Sequence, residues 1–269
     1  MAKIGTLREE CVFPMSYAKH KKDPASDLFF SESDGFRYLH FGSPWIQGAM
    51  KVRRPFELVL EYPRQMMACA LFYPQPEHIL QLGLGAASLT KFCWKNTDAE
   101  IDVVEVSQNV INAAHQWFKC PMPDERLRIH LEDAKAFIGD RSRYVAPDWL
   151  QVDLYDAQAE GPVYDDVPFY KMCRRAMNKA GSVASFNLFG SSFEKSFSAI
   201  EEAFEKRVLV MPEIDEGNRI VLAFAGSKLN LDSETLFDRA QQLEAAWKLP
   251  CRRWAKAIRF TSYETLNAL

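Results

Sequence analysis

Between His78 and Asn187 the chain repeats a single pattern: a short apolar run, a turn, then a segment of helical period. The apolar runs are His78–Leu82, Ile101–Val106, Leu127–Leu131, Trp149–Leu154 and Ser182–Asn187. Helical segments at 89–96, Val110–Phe118, Ala134–Ile138 and Pro168–Met177 lie between them. Successive strands separated by a helix need crossover connections, so this alternation predicts a parallel, doubly wound α/β sheet of Rossmann-like type. A last pair, Arg207–Met211 and Asn218–Phe224, is joined by Pro-Glu-Ile-Asp-Glu-Gly and predicts an antiparallel hairpin at the sheet edge. Residues 232–247 begin with Asp-Ser capping chemistry and predict a closing helix.

The texture upstream is different. From 28 to 62, aromatic and β-branched runs are broken by Asp34-Gly35 and by Gly42-Ser43-Pro44. Asp-Gly between two such runs is hairpin chemistry, so a small antiparallel β-unit is expected, followed by a helix over Pro63–Tyr73 that Pro63 could start. Residues 1–62 are read as an N-terminal segment with this β-unit and 63–269 as the nucleoside-binding catalytic domain. The first 27 residues read as irregular, and the basic stretch at Lys19 to Lys22 as a solvated face.

A net charge of −3 gives no electrostatic case for a nucleic-acid partner and suits a small cationic substrate better. The longest apolar run, Met66 to Tyr73, is too short to cross a bilayer, and the start of the chain lacks a signal-peptide core, so a cytoplasmic protein is expected. The six cysteines form no Cys-x-x-Cys pair, so neither a zinc site nor a disulfide framework is expected, and no metal.

Four acidic residues and one glycine turn carry the chemistry. Gly83-Leu84-Gly85 follows the first strand and opens into a helix, which lets backbone approach a ligand and aims a helix N-terminus at it. Ser88 replaces the third glycine of the dinucleotide fingerprint, which weakens the case for NAD. Glu105, ahead of Val106 at the end of the next strand, is placed to accept hydrogen bonds from ribose hydroxyls. Asp133, ahead of Ala134, follows the third strand and could accept from an adenine amine. After the fourth strand, Asp153 and Asp156 are spaced either to share one cleft, holding an ammonium while one takes its proton, or to cap the next helix. Tyr155 between them is the aromatic best placed over a substrate or adenine face.

The chain resembles the spermidine synthase family, the aminopropyltransferases, over about residues 30–225. Val104-Glu105-Val106-Ser107-Gln108-Asn109-Val110-Ile111 is similar to the family's ribose-binding strand. Glu132-Asp133-Ala134-Lys135-Ala136-Phe137 is similar to its adenine-binding turn. Asp153-x-x-Asp156 with Gly161-Pro162 and Phe169-Tyr170 resembles its Asp-Ser-Ser-Asp-Pro signature. The resemblance implies a class I methyltransferase-type sheet and transfer of an aminopropyl group from decarboxylated S-adenosylmethionine to an amine such as putrescine. It also implies Asp153 as proton acceptor, Asp156 as polyamine contact, and no metal.

The chain departs from the family at three places. The Asp of the family's Gly-Gly-Gly-Asp-Gly-Gly aligns with Gly85, Leu-Asp-Gly becomes Ile46-Gln47-Gly48, and the helix start reads Tyr62-Pro63-Arg64 without the family's Glu. Gln47, Tyr62 and Arg64 are therefore expected to line the substrate site, where Arg64 could pair with the carboxylate of intact S-adenosylmethionine. Three readings follow: an aminopropyltransferase, a methyltransferase on the same fold, and a non-catalytic binder of nucleosides or polyamines. Trp45 and Ile46 read as exposed, and such an edge could pair two copies into a homodimer.

Overall fold

A computed structural model describes residues 11–14, 27–42, 45–155, 161–190, 193–229 and 231–261, with the backbone alone at 11–14 and 259–261. The basic stretch at Lys19 to Lys22 lies outside the described residues.

Four strands, β1 (Cys11–Pro14), β2 (Leu28–Ser33), β3 (Phe36–Phe41) and β4 (Gly48–Lys51), form an antiparallel sheet in sequence order. The Asp34-Gly35 turn joins β2 to β3, both residues at positive φ, as the sequence predicts. The strand β1 falls in a stretch read from sequence as irregular. Ile46 is buried, contrary to its reading as an exposed edge residue, because the segment leading into β4 packs inward.

The chain then makes α1 (Glu61–Met66) and a 3-10 segment (Met67–Leu71) where the pattern predicts one helix. Pro63 lies inside this helix rather than at its first position. Next come β5 (His78–Leu82), α2 (Ser88–Asn96), β6 (Glu100–Glu105), α3 (Gln108–Gln116), β7 (Leu127–Leu131), α4 (Ala134–Gly139), β8 (Trp149–Val152), α5 (Val167–Ala176) and β9 (Ser182–Phe189). The chain closes with α6 (Phe193–Ala203), β10 (Val208–Val210), β11 (Asn218–Ala225), α7 (Ser233–Trp247) and α8 (Cys251–Thr261). The helices α6 and α8 have no counterpart in the pattern reading. Asp232 caps α7 by accepting from the Thr235 amide, as its position predicts.

The second sheet has the order β10-β11-β9-β8-β5-β6-β7. Its five strands β5 to β9 are parallel, and β11 and β10 add the antiparallel hairpin at one edge. The winding reverses between β5 and β8, so a crevice opens at their carboxyl ends. Alternation along the strands supplies both layers. Ile79, Ile101, Val103 and Trp149 join α2, α3, α7 and α8 on one face. Leu80, Val104, Leu150 and Ala184 join α4, α5 and α6 on the other. This is the doubly wound α/β architecture that the strand–helix repeat predicts.

One polar contact pins the register at the switch point. Gln81 and Gln151 are opposite each other on β5 and β8 and both are buried. Gln81 donates to Gln151 at 2.7 Å and accepts from Thr90 at 2.6 Å. Sliding either strand by one residue would turn these amides to the other face and leave them unpaired in the core.

Candidate active site

The cleft at the β5/β8 switch point is built from strand ends. Gly83, Leu84, Gly85 and Ala86 form its floor, Glu105 and Val106 follow β6, and Asp133 and Ala134 follow β7. Asp153, Leu154 and Tyr155 follow β8, Asn187 comes from β9, and Phe41, Gln47 and Tyr62 close it from the small sheet and α1. Ten of the twelve site residues expected from sequence therefore meet in one place: Gly83, Gly85, Glu105, Val106, Asp133, Ala134, Asp153, Gln47, Tyr62 and Tyr155.

Arg64 does not. It lies in a separate surface depression beside α7, with Gln241, Glu244 and Lys248, and it pairs with Glu61 at 3.2 Å. The reason is helical geometry: two residues on from Tyr62 is about 200° around the helix, so a chain with Tyr62 in the cleft points Arg64 away from it. Asp156 lies outside the described residues.

The glycine turn is specific in its backbone. Gly83 takes φ +96°, which favours glycine, and Ala87 at the entrance to α2 takes φ +54° without being one. Glu105 reaches under this turn and accepts from the Leu84 amide at 3.0 Å and the Ser107 amide at 2.9 Å. Its burial raises its proton affinity, and these amide hydrogen bonds work against that. Counted along the family's six-residue pattern, the place of the acid falls on Ala86, one position beyond Gly85. In either register the carboxylate is absent.

Asp133 caps α4 by accepting from the Ala136 amide at 2.9 Å, and its second oxygen accepts from the Tyr164 hydroxyl. That contact pushes the Tyr164 phenol up to about 12. Helix capping, one of the two arrangements weighed for the acids after β8, is here the work of the acid after β7. The cap of α5 is Asp166, which accepts from the Phe169 amide at 2.8 Å. Asp153 is thus not a helix cap.

Asp153 is instead held by side chains. Asn187 donates to it at 2.9 Å, and the Tyr62 hydroxyl lies against the same carboxylate and the Gln47 carbonyl. Burial raises its proton affinity, opposed by the contacts with Asn187 and Tyr62. The Tyr155 hydroxyl donates to the Asn187 carbonyl at 2.8 Å, so Tyr155 braces the strand that carries Asn187. Asn187 and Tyr164 are site residues that sequence reasoning did not single out. The available signal for Asn187 was a lone amide in the apolar run Ser182–Phe189, at the end of the strand that faces the ligand.

The cleft is electronegative. Its described lining holds Glu105, Glu132, Asp133 and Asp153 and no lysine, arginine or histidine. Glu132 is paired with Arg143, while the other three make no ion pair among the described residues. A cationic ligand fits such a site. No group of three metal-ligating side chains occurs among the described residues.

A polyamine aminopropyltransferase of Chromobacterium violaceum is 30% identical to this chain over 245 residues, covering 90% of this chain and 93% of its relative. The chain belongs to the polyamine aminopropyltransferase family. No family model matches it. Solved structures agree on the fold. A spermidine synthase in complex with the transition-state analogue AdoDATO superposes with a TM-score of 0.59 at 16% identity over 98% of each chain. Human methyltransferase-like protein 13 in complex with SAH gives 0.61 at 20% identity over 71% of this chain and 93% of its own. Aminopropyltransferases and methyltransferases thus share this sheet, and the side chains of the cleft have to distinguish their reactions.

Proposed function

We propose that this aminopropyltransferase moves an aminopropyl group from decarboxylated S-adenosylmethionine to an amine acceptor such as putrescine, with Asp153 as the proton acceptor. The observation that carries the reading is the half-buried Asp153 carboxylate, whose desolvation raises its proton affinity. Among the described residues it has no cationic partner, and the cleft around it has no basic residue in its described lining. The reaction is an in-line displacement. The amine nitrogen attacks the carbon next to the positive sulfur, the carbon–sulfur bond breaks, and its electron pair stays on sulfur as methylthioadenosine leaves. The amine then surrenders a proton to Asp153. Sulfonium activation is intrinsic to the donor, so the protein supplies alignment and the base.

Glu105 would receive the ribose hydroxyls on the lone pairs not used by Leu84 and Ser107. Asp133 would receive the adenine amine at its Tyr164-facing edge. Val106 and Ala134 flank these two acids, and Gln47 and Tyr62 line the acceptor side. Asp156 enters by resemblance alone, as a contact for the acceptor's amines. We assign the work of donor binding to residues 63–269 and let the unit before residue 63 close the cleft.

A second reading, methyl transfer from intact S-adenosylmethionine, is favoured by one feature: the glycine turn offers Ala86 where an aminopropyltransferase has a carboxylate for the donor's amine. Calorimetric titration with S-adenosylmethionine, its decarboxylated form and methylthioadenosine separates the two. Tighter binding of the decarboxylated donor supports aminopropyl transfer, and preference for intact S-adenosylmethionine would overturn it. Turnover of either donor removes the non-catalytic reading.

A further inference from the structure

A chain of three side chains leads from the edge hairpin to the acid of the cleft. Asn218 on β11 donates from its amide nitrogen to the Asn187 oxygen at 2.9 Å. Asn187 on β9 donates in turn to Asp153 at 2.9 Å. Asn218 and Asn187 are only 1% and 4% exposed, so solvent does not substitute for either contact.

The direction of this chain follows from chemistry. An ionised carboxylate only accepts, so the face of Asn187 turned to Asp153 has to be its amide nitrogen. Its oxygen is then turned to Asn218, which has to donate. Each amide is locked in one of its two orientations by the next, and the lock starts at the charge on Asp153. A donor whose own oxygen is accepting a hydrogen bond is polarised and becomes a better donor.

We propose that Asn218 is a positioning residue for the transfer reaction, acting through Asn187 to hold Asp153 ionised and to fix which of its oxygens is left for the amine. The inference rests on the reading of Asp153 as proton acceptor. The titratable groups facing Asp153 are few. Tyr62 comes from α1 and Tyr155 from the loop after β8, Glu105 stands across the Gly83–Leu84 turn, and Asp133 and Glu132 follow β7. Burial disfavours a charge on Asp153, and the contacts with Asn187 and Tyr62 favour it.

The test is the pH profile of kcat/KM for the full chain carrying Asn187→Leu, Asn218→Leu, or both, with Asn218→Ala as the variant that asks the core to accept no new shape. Calorimetric affinity for methylthioadenosine reports on the integrity of the fold. Loss of the charge-assisted hydrogen bond should move the acid limb of Asn187→Leu upward by about one pH unit. Asn218→Leu and Asn218→Ala should move it in the same direction by less, with methylthioadenosine affinity within about twofold. The double variant should be no worse than Asn187→Leu alone, because the Asn218 amide reaches the acid through Asn187. Acid limbs of both Asn218 variants that superimpose on the wild type, or a double variant whose loss is the product of the two single losses, would overturn the proposal. Asp153→Asn in the same assay tests the underlying reading separately. If that variant remains active, Asp153 is not the base, whatever the amides do.

Discussion

Gly83 and Asp153 touch through their backbones: a Cβ added to Gly83 would fall well inside contact distance of the Asp153 carbonyl oxygen. The glycine turn after β5 and the acid after β8 are therefore one rigid unit, joined also by the bond from the Asp153 amide to the Leu82 carbonyl at 2.9 Å. Gly83→Ala has to break this contact and also forces alanine to φ +96°. It should destabilise the fold by about 2 kcal/mol or more and push Asp153 out of line. Urea unfolding and initial rates check this together. A variant with lowered stability and normal kcat would show that the turn and the acid move independently.

Asp153→Asn should lower kcat by about 10²- to 10⁴-fold, the usual contribution of a positioned base, while donor affinity stays within about tenfold. The same change should not lower the melting temperature near neutral pH. An acid whose proton affinity is raised in the fold penalises folding once it is ionised, so that cost is present above its folded pKa and vanishes below its unfolded one. Thermal melts at pH 8 and pH 4 should show Asp153→Asn at least as stable as wild type at the higher pH, with the difference closing at the lower.

Catalysis has the opposite pH preference. As the proposed base, Asp153 would work only when ionised, and burial holds it above the ordinary aspartate value of about 3.9. The acid limb of kcat/KM should therefore lie above that value, with activity lost as the pH falls through it. An acid limb at or below it would mean that a different group limits the reaction.

The succession of strands and helices could be read from sequence because it follows from local chemistry, whereas Gln47 and Tyr62 were expected in the site from the family resemblance. The strands β5 and β7 have the same ends in the sequence and in the structure, each bounded by turn or polar residues. Two kinds of information were not local. Which way a side chain points from a short helix depends on its rotation, and this is how Arg64 left the site that Tyr62 entered. What an amide does inside a sheet depends on its neighbours across strands. Asn187 and Asn218 are 31 residues apart and meet only because β9 and β11 pair antiparallel. The helices α6 and α8 did carry readable patterns, Phe193, Phe197 and Ile200 in the first and Trp254, Ala255 and Ile258 in the second, so no physical obstacle hid them.

Glu105→Gln tests donor binding. The carboxylate accepts from two backbone amides, and glutamine keeps the volume but replaces one accepting oxygen with a donor. An amide nitrogen facing the Leu84 or Ser107 N–H would splay the glycine turn, and a ribose bound as proposed would lose a charged acceptor. Affinity for methylthioadenosine should fall by about 10- to 100-fold, corresponding to one charge-assisted hydrogen bond. Unchanged affinity would remove Glu105 from the ribose role.

The last prediction concerns stability at acid pH, away from the cleft. Asp102 on β6 is opposite Arg128 on β7 and accepts a two-pronged contact from it at 2.9 Å, with His130 one step along the same face at 2.7 Å. Burial raises the proton affinity of Asp102, but Arg128 and His130 outweigh it and hold the carboxyl below its ordinary value. A lowered acid stabilises the fold above its unfolded pKa, near 3.9, and that contribution is lost as pH falls through the lower folded value. Arg128 is 40% exposed and can return to water, which limits the cost of losing its partner. Asp102→Asn should therefore destabilise by only about 1 kcal/mol at pH 7, with the difference shrinking below about pH 4. Urea unfolding of both proteins at pH 7 and pH 3 measures it. A gap at pH 3 as large as that at pH 7 would assign the effect to packing of the side chain rather than to its charge.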